Sequence, residues 1–219
     1  MSNFDLYSNK NTNYFSNARH DIINLVPEGS NKVLEIGCGD GTTLVELKKL
    51  GKAKYCAGVD IIDINQKNKL DDFVLADIDN EELPLPQRYF DVIICADILE
   101  HLKDPWSTLD KLKTYLKKDG ILIASLPNVR EIKTIFNIVF KGDFKYVEEG
   151  ILDKTHLRFF CKKNMIDLFE KRGFVIQKMT HNLDPKSKRY MLNKLTFGII
   201  EEFLVIQYLI IAKVSNGSP

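Results

Sequence analysis

The chain has no apolar leader, no paired-cysteine motif, no long hydrophobic run and almost no net charge. Residues 1–10 are polar, so nothing at the start predicts an export signal. The most apolar tract, residues 203–214, is far shorter than the roughly 20 residues that span a bilayer, and it suits a buried strand. Cys38, Cys56, Cys95 and Cys161 lie far apart with no CxxC pair, which speaks against a disulfide framework or a zinc cluster. A reducing, cytoplasmic setting is the expectation. With 31 Lys+Arg against 30 Asp+Glu, the net charge is +1, so a chain built to coat nucleic acid is not expected. There is no internal repeat and no low-complexity stretch. The 219 residues suit one domain over 1–219.

What is present is an alternation of short apolar runs with helical patterns. Strands are expected at 32–36, 55–59, 73–76, 90–96 and 121–126. Helices are expected at 14–26, 42–50, 105–116 and 162–172, the first stopping at Pro27 and the second closed by Gly51. Strands that are nearly all apolar, alternating with helices, indicate a parallel sheet covered on both faces. Two further strand-like runs, 174–181 and 203–213, break this rhythm and are expected to pair antiparallel at one edge. Residues 128–160 are too long for a simple connection and read as a lid or substrate insert, with an apolar helix at 132–140. Residues 184–197 form a second, basic insert carrying Lys186, Lys188, Arg189 and Lys194.

The most informative stretch is Val33-Leu34-Glu35-Ile36-Gly37-Cys38-Gly39-Asp40-Gly41. An apolar strand runs into three glycines at alternate positions, and a helix follows. Glycine permits the sharp turn and a close approach of ligand to backbone. The helix start offers unpaired N–H groups. Asp60 ends the next strand about 20 residues on, where a carboxylate accepts from ribose hydroxyls. Asp77 ends the third strand, within reach of an adenine amine. A dinucleotide site would instead show GxGxxG, whereas this loop continues Thr42-Thr43.

These residues resemble the first motif of class I S-adenosylmethionine-dependent methyltransferases, an acidic residue, an apolar residue and then GxGxG. The match covers roughly residues 14–214 and leaves the two inserts unexplained. It implies a Rossmann-like α/β fold with a mostly parallel seven-stranded sheet and an antiparallel edge pair at the end of the chain. It also implies S-adenosylmethionine as donor and S-adenosylhomocysteine as product. Donor contacts are then expected at Glu35, Gly37, Cys38, Gly39, Asp60, Ile61, Asp77, Ile78 and Ala96, with Tyr14 as a possible cover.

On the acceptor side, Asp97-Ile98-Leu99-Glu100-His101 follows the fourth strand. In a helical turn the i, i+3, i+4 spacing would put the three polar side chains on one face. Glu100 or His101 is then a candidate base, or all three are metal ligands. A capping and packing role is the third alternative. The segment resembles the ExxEH motif of metal-dependent O-methyltransferases of quinone biosynthesis and small-RNA 3′ ends, with Asp97 replacing the first Glu. The RNA family completes its site with a later histidine, for which His156 is the candidate. Asp153-Lys154-Thr155-His156-Leu157-Arg158-Phe159-Phe160 resembles a DxTHLRFF segment of methyltransferases in bacterial glycan pathways. From it come the expectations of His156 as acid/base or ligand and Arg158 as an anchor for an anionic group. Asn128, at the end of the fifth strand, is expected either to donate to substrate or to shape the turn there. The expected activity is O-methylation of a sugar or glycan-pathway intermediate. A quinone-type phenol or an RNA 3′ end with a divalent metal is the alternative, and a non-catalytic donor-binding module the rival from another class.

Overall fold

The computed structural model describes residues 18–63, 70–181 and 183–215. Seven strands form one sheet: β1 (Asn31–Ile36), β2 (Ala53–Asp60), β3 (Asp72–Leu75), β4 (Phe90–Ala96), β5 (Leu116–Pro127), β6 (Phe174–His181) and β7 (Gln207–Val214). Their spatial order is β3-β2-β1-β4-β5-β7-β6. The first five strands run parallel, and β7 lies antiparallel between β5 and β6. This is the mostly parallel seven-stranded, Rossmann-like sheet that the family resemblance implied.

The near-continuous apolar strands arise because both faces are covered. Along β4, Ile93 and Cys95 enter one core while Val92 and Ile94 enter the other. Helices α3 (Pro105–Tyr115) and α5 (Lys162–Glu170) close the first face through Leu109, Leu112, Met165 and Phe169. Helices α1 (His20–Ile23) and α2 (Thr42–Lys49) close the second through Ile22, Ile23, Leu44 and Leu47. Asp104 starts α3 by accepting from the Ser107 N–H at 3.0 Å, with Pro105 in the first turn, where its missing N–H costs nothing.

Three boundaries differ from expectation. Residues 203–213 are not one strand: Phe203 and Leu204 belong to the short helix α7 (Glu201–Leu204), and β7 starts at Gln207. Leu204 and Val205 are buried like strand residues, so hydrophobicity alone does not separate the two elements. Strand β5 begins at Leu116, where α3 was expected still to run. Leu116 pairs with Phe90, and an irregularity absorbs Lys117–Gly120 before Ile121 resumes pairing with Val92. Of the expected helix at 14–26, His20–Ile23 is helical, and residues 14–17, including Tyr14, lie outside the described residues.

Both inserts emerge at the same sheet edge. Strand β6 runs parallel to β5, and Leu126 and His181 both pair with Tyr208. The connection after β5 carries α4 (Ile132–Lys141), and the connection after β6 carries α6 (Lys188–Leu195) and α7. They therefore rise above the carboxyl edge, where open α/β sheets bind their ligands. Among the described residues no helix is long and apolar enough to cross a membrane.

Candidate active site

A cleft of about 370 Å³ opens at the carboxyl ends of β1, β2 and β4. Its walls include Glu35, Gly37, Cys38, Gly39, Asp60, Ile61, Asp77, Ile78 and Ala96, all nine of the residues expected to contact the donor. The glycine loop turns because Gly37, Gly39 and Gly41 hold φ of 72°, 54° and 78°, conformations that carry little cost only without a Cβ. At Gly37 a Cβ would also meet Ile98 Cδ1 at 3.0 Å, so the backbone there stays bare toward its neighbour. Asp60 fastens the loop to β2, accepting from the Gly39 N–H at 2.8 Å and the Ile62 N–H at 3.0 Å. Burial raises the Asp60 pKa against the pull of these N–H bonds. Asp77 accepts from the Asp79 N–H and the Asn80 amide, which fixes its carboxylate at the end of β3.

Glu35 lies under this loop, fully buried, with Oε2 lacking any hydrogen-bond partner. Burial pushes its pKa up to about 8; Arg19 opposes the rise, and Asp60 and Asp40 add to it. A buried carboxyl with an unmade bond facing a cleft suits a cationic ligand, and S-adenosylmethionine carries both a sulfonium and an ammonium. The glycine cradle, the carboxylates ending β2 and β3 and this orphaned oxygen therefore fit that donor.

Arg19 is the wall residue that the sequence reading missed. Its guanidinium bonds Asp97 and Asp21, and also reaches Ser125 and Gln207. Burial works against its charge, but Asp21 and Asp97 outweigh burial and hold its pKa above the ordinary arginine value. The signal was a charged Arg19-His20-Asp21 step inside an otherwise apolar helical pattern.

Asp97 does not share a face with Glu100 and His101. It takes a positive φ of 53°, which turns its carboxylate back to Arg19, Ser125 and Gln207. The three-ligand helical face is therefore corrected. Only Leu99–His101 forms a 3₁₀ turn, and it carries Glu100 and His101 without Asp97. The third member comes from the long insert. Glu100, His101 and His156 are all buried, and one ligand atom from each lies within 4.8 Å of the others. The insert is fastened there by backbone: Glu100 O accepts from the Leu157 N–H at 2.8 Å and the Arg158 N–H at 2.9 Å.

The tautomers follow from the partners. His101 Nδ1 meets Thr155 O at 3.1 Å, and His156 Nδ1 meets Ile151 O at 2.9 Å. A carbonyl only accepts, so each Nδ1 carries the hydrogen and each neutral ring keeps its lone pair on Nε2. His156 Nε2 stands 4.0 Å from Glu100 Oε1. Glu100 Oε2 is buried with no hydrogen-bond partner, and burial, then the charges of Asp97 and Asp153, push its pKa well above the carboxylate range. Two imidazoles poised through carbonyl-bound Nδ1, beside a carboxyl whose Oε2 has no hydrogen-bond partner, make a donor set that fits a divalent cation.

Of the two roles expected for Asn128, the structure shows the structural one. Asn128 is buried and gives both amide hydrogens to the Glu202 and Val205 carbonyls, while its Oδ1 accepts from the Arg130 N–H. It locks the exit of β5 to α7 and has no hydrogen left for substrate. Arg158 donates to the carbonyls of Lys103 and Leu157, lies 5.8 Å over Trp106, and does not line the cleft. Phe160 enters the core, and Phe159 stacks with Phe144, Tyr146 and His156.

A seven-stranded sheet whose one antiparallel strand lies next to its edge, with a glycine-rich cleft at its carboxyl end, defines a class I methyltransferase. Residues 11–178 match the family described as methyltransferase domain, and the chain belongs to that family. It is an S-adenosylmethionine-dependent methyltransferase. It is 26% identical over 182 residues to a ubiquinone biosynthesis O-methyltransferase of Actinobacillus pleuropneumoniae, covering 74% of each chain. It is 31% identical over 192 residues to a Methanocaldococcus jannaschii protein described as uncharacterized, covering 78% of this chain and 71% of that one. Among solved structures, a SAM-dependent methyltransferase from Archaeoglobus fulgidus superposes with a TM-score of 0.62 at 21% identity, covering 91% and 96%. A Burkholderia thailandensis N1-methyltransferase carrying S-adenosylhomocysteine superposes with a TM-score of 0.56 at 12% identity, covering 86% and 72%.

Proposed function

We propose that this enzyme methylates a hydroxyl group held beside the donor by a divalent cation on Glu100, His101 and His156. The observation that carries the reading is the pair of histidines whose Nδ1 atoms both meet insert carbonyls, next to the buried Glu100 Oε2 that has no hydrogen-bond partner. Glu35, Gly37, Cys38, Gly39, Asp60, Ile61, Asp77, Ile78 and Ala96 hold the donor. Asp60 binds the ribose hydroxyls with its remaining lone pairs, and Asp77 the adenine amine. S-adenosylmethionine supplies an electrophilic methyl group. A divalent cation held there would lower the pKa of the acceptor hydroxyl, whose proton would then pass to water near neutral pH. The protein's contribution is alignment and exclusion of water: the 3₁₀ turn and the insert bring the ligands to a cleft that His101 also lines.

The acceptor favoured is a phenolic hydroxyl of a quinone-type ring. The curated relatives named as ubiquinone biosynthesis O-methyltransferases support it. The segment that suggested a sugar has architectural roles in this chain. Asp153 accepts from Thr155 N and Oγ1 to shape the turn, His156 joins the cluster, and Phe160 enters the core. The test is S-adenosylhomocysteine formation from catechol-type phenols and from nucleotide sugars, with and without chelator. Turnover of phenols that stops in chelator and returns with Mg²⁺, Mn²⁺ or Zn²⁺ is the expected result. Full activity in chelator would remove the cation, and turnover of sugars alone would return the acceptor to the glycan class.

A further inference from the structure

The two inserts carry apolar side chains that the rest of the chain leaves uncovered. On α4, Phe136, Val139 and Phe140 share one helical face, and Phe140 is 74% exposed. On α6, Leu195 is 69% exposed, followed by Phe197 at 93% and Ile199 at 83%. Phe197 holds a positive φ of 51°, a conformation unfavourable for an aromatic residue, and there it presents its ring to solvent. The inserts are joined: Arg189 of α6 pairs with Glu131, the N-cap of α4, at 2.5 Å and donates to Leu204 O at 2.9 Å. Both stand at the carboxyl edge that carries the cleft.

Charge identifies the partner. Residues 132–149 and 184–199 expose the six lysines Lys133, Lys141, Lys145, Lys186, Lys188 and Lys194 against the four acidic residues Asp143, Glu148, Glu149 and Asp184, a balance of +2. The chain as a whole is only +1, so positive charge is concentrated on this rim. Exposed aromatics ringed by lysine are the signature of a helix that lies in the interface of an anionic bilayer. A symmetric dimer through the same face would set these lysines against their own copies, which disfavours it.

We propose that α4 and the α6–Ile199 segment form a docking surface for an anionic phospholipid membrane, with the cleft edge facing the bilayer. The docking is separable from the choice of acceptor, because it is read without turnover.

The experiment is sedimentation of the full chain with vesicles of phosphatidylcholine alone or mixed with phosphatidylglycerol. Binding is expected on the mixed vesicles, weakened by added salt, and weak or absent on the neutral ones. Phe140→Glu with Phe197→Glu should lower it by about tenfold or more, since each ring contributes its burial in the interface. S-adenosylhomocysteine affinity of that variant should equal wild type, which shows that the fold survives. Failure to bind mixed vesicles, or equal binding by the double variant, overturns the proposal. So does a dimer in light scattering that Phe140→Glu abolishes, because the face then belongs to a second copy.

Discussion

The imidazoles of His101 and His156 sit with centroids 4.6 Å apart and planes at 72°, each anchored through Nδ1 to a carbonyl of the same insert. One ring comes from the turn after β4, and the other arrives 55 positions later. The insert therefore does two jobs at once. It delivers one ligand, and through Thr155 O and Ile151 O it sets the tautomer of both.

The proposed cation site depends on this arrangement. Replacing His156 with alanine removes one ligand and should lower Mn²⁺ or Zn²⁺ affinity by about a hundredfold or more, since even the loss of an orienting partner costs about ten- to a hundredfold. Equilibrium dialysis followed by metal analysis measures it. S-adenosylhomocysteine affinity should stay close to wild type, because His156 does not line the cleft. Unchanged metal affinity would remove His156 from the ligand set.

Asp60 is expected to govern donor affinity twice over, by holding Gly39 and by facing the ribose. Asp60→Ala removes a charged acceptor from the Gly39 and Ile62 N–H groups. Bonds to a charged group contribute about 1.5–3 kcal/mol each, so affinity for S-adenosylhomocysteine should fall at least about tenfold. Isothermal calorimetry reads this directly, and wild-type affinity in the variant would sink the ribose assignment.

Glu35 ties donor binding to pH. In the free protein its pKa stands at about 8 because of burial, with Arg19 opposing and Asp60 and Asp40 adding to the rise; Cys56 and Cys95 are the other titratable groups that feel its charge. Its folded value lies above the ordinary carboxylate one, so the folded chain holds the extra proton. Stability contributed by that proton is full below the ordinary range and is lost as pH rises toward about 8. A cationic donor favours the ionised form. Binding S-adenosylmethionine near neutral pH should therefore release a proton, seen as a calorimetric heat that depends on the buffer's ionisation enthalpy. Glu35→Gln should abolish that dependence, and its persistence in the variant would place the released proton elsewhere.

Much of the fold was legible because its parallel strands are mostly apolar, and the runs of β1 to β4 end at Gly37, Asp60, Asp77 and Asp97 on the ligand edge. The donor cleft was legible for the same reason, since Glu35 through Gly41 is local in sequence. The Glu100–His101–His156 cluster was only half legible. Residue spacing finds Glu100 and His101, but it assumed a regular helix, and the positive φ at Asp97 breaks that assumption. Asn128 looked free because its partners, the carbonyls of Glu202 and Val205, are 74 and 77 positions away. Arg19 was hidden likewise, its partners Asp97, Ser125 and Gln207 being brought to it only by the folded sheet. The α7–β7 boundary was missed because a buried helical turn and a buried strand are equally apolar.

The seat of the glycine loop on β2 yields a prediction that depends on space alone. At Gly58 a Cβ would come within 2.6 Å of Cys38 Sγ and 2.8 Å of Leu70 Cδ1. Gly58 has ordinary backbone geometry, so an alanine there is refused by crowding and not by φ. Gly58→Ala should lower stability by about 1–3 kcal/mol, the usual range for overpacking. It should also weaken donor binding, because the Cys38 N–H reaches Val59 O at 3.2 Å and the displaced residue lies in the cleft wall. Adding Cys38→Ala removes the worst contact and should recover part of both losses, leaving the contacts with Leu70 Cδ1 and with the Cβ of residue 38, at 3.2 Å, as the remainder. Thermal unfolding and S-adenosylhomocysteine calorimetry on the two single variants and the double variant close the cycle. Strictly additive losses would show that Gly58 and Cys38 do not touch in the way described, and a Gly58→Ala variant that melts and binds like wild type would show that the loop has room to move.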